Sequence, residues 1–155
     1  IRKIGRCSVI TRFETFVLSV NRIYRCIQKI KNKEMTEFDL KGTNAMCIIT
    51  LMKSDEGFTA AELSNICMED KAAVSRAVSY LEEHGLVSFD DCGKKRRYRS
   101  KVMLTNDGKR VGEQILKVIE KIMAEVGEVL SEEERKIFYK GLSVISEKLT
   151  KICDN

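Results

Sequence analysis

The sequence predicts a mainly α chain with one small two-stranded sheet, on three observations. Apolar residues recur at alternating steps of three and four over most of the 155 residues. The period shortens to two only in "LVSFD" and around "SKVMLT", which reads as a pair of strands. Hydrophobic residues make up 43% of the chain and charged residues 33%, with no proline, which suits a single helix-rich unit long enough to bury a core.

In "SVITRFETFVLSVNRIYRCIQKI", Ile10, Phe13, Val17, Val20, Tyr24 and Ile27 form one continuous stripe, so a long first helix is expected over 8–32. The pattern breaks near 33–41. "TNAMCIITLMK" is then a shorter core helix, with Ala45, Met46, Ile48, Ile49, Leu51 and Met52 wrapping most of its surface. "SDEGF" is a turn, and Thr59 with Glu62 three residues later is a capping box that starts "AAELSNIC".

Asp70 offers an oxygen to the amides that open "KAAVSRAVSYLEEHG", and Gly85 is suited to end that helix at positive φ. Val74, Val78 and Leu81 make its inward stripe. Lys71, Ala72, Ser75, Arg76 and Ser79 make an outward face that is small, polar and basic. Two antiparallel strands should follow, joined by the hairpin "DDCGKKRRYRSK" with Gly93 in its turn. Asn106 or Asp107 is expected to cap a long helix through Val111, Ile115, Val118, Ile122, Val126 and Val129. Ser131 and Glu134 form a second capping box, ahead of a last helix carrying Phe138, Leu142, Ile145, Leu149 and Ile152. The near-heptad rhythm of the two terminal helices leaves apolar surface that a second copy of the chain would bury, so a homodimer is expected.

The net charge of +5 is concentrated in the hairpin, where Lys94, Lys95, Arg96, Arg97, Arg99 and Lys101 crowd together. Such a run persists where water, salt or an anionic partner screens it. Read alone, it is a solvated loop; beside a small polar helix face it becomes one half of a surface for nucleic acid. Other functions find less support. There is no glycine-rich phosphate loop, GxSxG elbow or HExxH pair, and the lone His84 sits at a helix end, so no enzyme is expected. Six cysteines, at 7, 26, 47, 67, 92 and 153, include no CxxC pair, so neither a metal nor another cofactor is expected. With no signal-peptide pattern ahead of them, a reducing cytoplasm is the expected compartment. No apolar run approaches the roughly twenty residues that cross a bilayer.

The stretch from "FTAAELSNICMEDKAAVSRAVSYLEEHGLV" through "LTNDGK" resembles a winged helix-turn-helix. Over nearly the whole chain, the order of elements is similar to the multiple antibiotic resistance regulator (MarR) family. The resemblance implies a winged helix-turn-helix lobe over about 40–106, flanked by dimerisation helices at 8–32 and 107–153. It implies a dimeric repressor that binds double-stranded DNA at a pseudo-palindromic operator and is released by a small-molecule effector. The DNA contacts would be Lys71, Ala72, Ser75, Arg76 and Ser79 on the recognition helix and Lys94, Lys95, Arg96, Arg97 and Arg99 on the wing. Phe13, Phe16, Tyr24, Met46 and Ile49 would line the effector site. A branch of the family senses peroxide through an N-terminal cysteine, which singles out Cys7 and makes a thiol-sensing repressor an alternative; Cys92, beside the basic run, is the other candidate thiol. A winged helix that binds only protein is the rival reading. Two features depart from the family pattern: Met68 and Glu69 occupy a turn that usually holds glycine, and Lys95 precedes the Arg96–Arg97 pair where an acid is usual.

Overall fold

The computed structural model describes residues 2–90 and 100–154, with side chains from Ser8 onward. The elements are α1 (Arg2–Thr36), α2 (Gly42–Leu51), α3 (Ala60–Cys67), α4 (Lys71–Glu83), β1 (Val87–Phe89), β2 (Val102–Leu104), α5 (Asn106–Gly127) and α6 (Glu132–Cys153). The chain divides into two compact units, Ile1–Ile115 and Leu116–Asn155.

In the first unit, α2 is the central helix and packs against α1, α3, α4 and β2. Cys47, Ile48, Leu51, Leu63, Val74, Leu81, Val102 and Ile115 are the deepest core side chains. Each large aliphatic residue among them contributes about 1.5–3 kcal/mol through burial. Met46, Ile49 and Met52, expected to wrap a buried surface, are only half-buried. Asn44 and Thr50 are buried instead, although polar.

α1 runs through Thr36, past the break expected near residue 33, because Met35 carries its last turn into the core. The Leu40 amide then donates to the Met35 carbonyl at 3.0 Å, and Asp39 takes a left-handed conformation at φ 54°. Aspartate tolerates that region better than most residues.

The expected capping box is present at α3, where the Glu62 amide donates to the Thr59 hydroxyl and the Glu62 carboxylate accepts from the Thr59 amide at 2.8 Å. At α4 the Asp70 carboxylate accepts from the Ala73 amide, also at 2.8 Å. Between these helices the missing glycine is replaced by strain. Met68 sits at φ 54°, ψ 37°, held by the Glu69 amide donating to the Ser64 carbonyl and the Ser64 hydroxyl donating to the Glu69 carbonyl. Gly85 ends α4 at φ 69°, as expected.

β1 and β2 pair antiparallel with Ser88 opposite Met103. A bridge that alternation does not reveal adds Phe58 beside Val102. It explains Gly57, where a Cβ would collide with the Val102 carbonyl oxygen. The start of α5 is a correction: neither Asn106 nor Asp107 is its cap. The Thr105 hydroxyl accepts from the Gly108 amide at 3.0 Å and donates to the Gly85 carbonyl at 2.7 Å. A single hydroxyl thus joins the end of α4 to the start of α5, and both acid and amide side chains fall inside the helix.

The second unit contains the end of α5 and all of α6. Ser131 and Glu134 form the expected capping box, and the Arg135 guanidinium donates to the Gly127 carbonyl at the end of α5. None of the described residues of α6 is buried.

Candidate nucleic-acid interface

The geometry of α4 follows from its sequence. Val74, Ala77, Val78 and Leu81 turn inward and are buried, which leaves the opposite side to water. Lys71, Ala72, Ser75, Arg76 and Ser79 are all exposed, and their spacing puts them on one stripe. Small residues keep this face narrow enough for a major groove, while Lys71 and Arg76 supply charge. The two basic side chains carry no ion pair among the described residues.

The hairpin is anchored at its base. The Asp90 amide donates to the Lys101 carbonyl at 3.0 Å, and the Asp90 carboxylate accepts from the Lys101 amide at 2.7 Å. This gives Asp90 a role at the mouth of the wing. Lys101 pairs with Glu56 at 3.1 Å on the exposed surface, a contact worth little in water. Lys94, Lys95, Arg96, Arg97, Arg99 and Cys92 lie outside the described residues, as does the side chain of Cys7.

Phe13, Phe16 and Tyr24 project from the exposed side of α1, and Phe13 and Phe16 share a surface cavity with Val9 and Arg12. Met46 and Ile49 are half-buried on α2 and do not line that cavity. A second cavity, of about 570 Å³, was not anticipated from the sequence. It lies between the start of α2 and α4, with Asp39, Lys41, Asn44, Arg76, Ala77 and Tyr80 among its walls. The Tyr80 hydroxyl donates to the Asp39 carbonyl at 2.7 Å and lies 3.3 Å from its carboxylate. Burial, and then the neighbouring Asp39 charge, raises the Tyr80 pKa above its ordinary value. The Tyr80 ring stacks on His84 at 3.9 Å, and a His84 ring nitrogen lies 2.8 Å from the Tyr80 carbonyl.

Among the cysteines, Cys26 and Cys153 are exposed and Cys47 is fully buried. Burial, reinforced by the adjacent Cys67 thiol, pushes the Cys47 pKa up to about 12. Among the described residues no cluster of histidine, cysteine and carboxylate side chains is suited to a metal ion. No described helix is long and apolar enough to cross a membrane.

These elements define a winged helix-turn-helix: three short helices, α2 to α4, the last with an exposed polar face, and a two-stranded wing. No known family profile and no curated protein sequence matches the chain. Solved structures do. A MarR transcriptional regulator from Methanosarcina mazei Go1 is similar with a TM-score of 0.75 and 22% identity, over 90% of this chain and 99% of that one. A Staphylococcus aureus MarR in complex with salicylate and kanamycin is similar with a TM-score of 0.79 and 18% identity, over 89% and 92%. A MarR family regulator from Listeria monocytogenes complexed with 26mer DNA has a TM-score of 0.76 and 21% identity, over 87% and 89%. The chain therefore has the fold of the MarR transcriptional regulators.

Proposed function

We propose that this chain is a sequence-specific DNA-binding transcriptional regulator, a dimeric repressor that a small-molecule effector releases from a pseudo-palindromic operator. The observation that carries this reading is the α4 surface: five exposed residues, none of them large and apolar, two of them basic, on a helix whose other side is core. Solved structures of the same fold include complexes with DNA, which supports duplex DNA as the partner. Lys71, Ala72, Ser75, Arg76 and Ser79 meet the major groove in this reading, and the wing residues Lys94, Lys95, Arg96, Arg97 and Arg99 meet the backbone or the minor groove.

The dimer rests on the apolar stripes. Ile10, Phe13, Val20, Tyr24 and Ile27 on α1, and Phe138, Leu142, Ile145, Leu149 and Ile152 on α6, are all exposed in the single chain. Exposed apolar rows of this length mark interaction surfaces, and a second copy of the chain is the occupant that twofold closure favours. Effector release is supported by a similar fold crystallised with salicylate.

Footprinting tests the reading directly. Two recognition helices related by a twofold axis should protect half-sites roughly 10 base pairs apart. Gel-shift competition against unrelated duplex and against a polyanionic protein separates sequence-specific binding from charge alone. Equal displacement by all competitors would remove the regulator from consideration. A thermal-shift screen of aromatic carboxylates, followed by DNA release, tests the effector.

A further inference from the structure

The start of α2 differs from those of α3, α4, α5 and α6 in one respect. α3, α4 and α6 each receive a side-chain oxygen, from Thr59, Asp70 and Ser131. α2 begins after Lys41, which is extended at φ −89°, ψ 161° and provides no side-chain cap. An ammonium group can only donate, so it cannot satisfy the amides that open a helix. The amides of Gly42, Thr43 and Asn44 have no acceptor among the described residues.

A second observation points the same way. Asn44 is 4% exposed and lines the cavity between α2 and α4, and its carboxamide has no hydrogen-bond partner among the described residues. Since no fully enclosed side-chain nitrogen or oxygen lacks a partner there, the polar atoms of Asn44 keep some access to space, and the residue is part of the cavity wall. Lys41 and Arg76 add two cations to the walls of this space. Asp39 is the one acid among the lining residues, and its carboxylate faces the Tyr80 hydroxyl. A lysine at the positive end of a helix dipole is unfavourable unless an anion lies between them.

We propose that the start of α2, with Lys41, Asn44 and Arg76, is a phosphate-binding site. A tetrahedral oxyanion supplies the missing acceptors to three backbone amides and one carboxamide, and helix starts hold such groups by the same means. Its position beside the exposed face of α4 makes a DNA backbone phosphate the natural occupant, which rests on the DNA-binding reading; free phosphate is the alternative source. Arg76 then grips the backbone at the edge of the major groove and does not read a base.

The test is a titration of the full ¹⁵N-labelled chain, followed at the amide signals of Gly42, Thr43 and Asn44, first with inorganic phosphate and then with a mixed-sequence duplex. Both ligands should move all three signals. The Lys41→Ser variant, whose hydroxyl caps α2, should keep or raise the melting temperature and lose the phosphate response. Its slope of log affinity for DNA against log salt should flatten by roughly 1.8 for two protomers. Signals that move with phosphate alone while DNA still binds would assign the site to a free anion and overturn the DNA occupant. Signals that move with neither ligand while DNA binds would overturn the site and leave the regulator reading intact. A phosphate response without any DNA binding would leave the site and overturn the regulator.

Discussion

The Tyr80 hydroxyl on α4 donates to the Asp39 carbonyl 2.7 Å away, joining residues 41 positions apart. Asp39 occupies the left-handed turn that leads into α2, so this bond ties α4 to the turn before the central helix. Tyr80→Phe should therefore lower the unfolding midpoint while keeping the ring stack on His84. The effect should depend on pH in one direction. A tyrosine whose pKa is raised in the fold contributes stability that is present below its ordinary value of 10.0 and lost as pH rises through the folded value. Wild type and Tyr80→Phe should thus converge only in strongly alkaline urea titrations.

Met68 is 87% exposed and held at positive φ, where its side chain gains nothing from packing. Met68→Gly should relieve the steric cost of that conformation and lose part of the gain to a more flexible unfolded chain. A net stabilisation of about 0.5–1 kcal/mol in chemical denaturation is the expected result.

Leu51 is 2% exposed on the buried face of α2. Leu51→Ala should cost about 2–5 kcal/mol, since the surrounding helices only partly close the cavity left behind. Calorimetry of the variant would measure this, and a loss under about 1 kcal/mol would contradict the placement of α2 at the centre of the lobe.

With its pKa near 12 and no exposure, Cys47 should remain a protonated thiol at neutral pH. Iodoacetamide on the native chain should modify exposed Cys26 and Cys153 well before Cys47, as read by mass spectrometry of digests. Rapid labelling of Cys47 would mean that α2 opens in the native state.

Removing residues 131–155 takes away an apolar row that a dimer would cover. The truncated chain should aggregate or sediment as a monomer with weak DNA affinity. A soluble, folded and tight-binding product in analytical ultracentrifugation and gel shift would remove α6 from the proposed dimer.

The α6 capping box makes a separate pH prediction. Hydrogen bonds from Ser131 hold the Glu134 pKa below its ordinary value of 4.5. The stability it adds is present above 4.5 and lost as pH falls through the lowered folded value. Helical circular dichroism of wild type and Ser131→Ala should differ at neutral pH and converge in acid.

Local chemistry makes much of this protein legible in its sequence. Helical stripes, the caps at Thr59, Asp70 and Ser131, the turn at Gly85 and the polar face of α4 each depend on residues within one or two turns of each other, and periodicity and side-chain type determine such features. The tertiary structure decided what depends on distant partners. Thr105 caps α5 because Gly85 and Gly108 are both brought to its hydroxyl. Phe58 joins the sheet because Val102 lies beside it. The cavity beside α2 lies where the turn at Asp39 meets Tyr80 of α4, with Asn44 buried in its wall. No pattern within a single segment encodes such a cavity, because it exists only once separate helices have packed and excluded water.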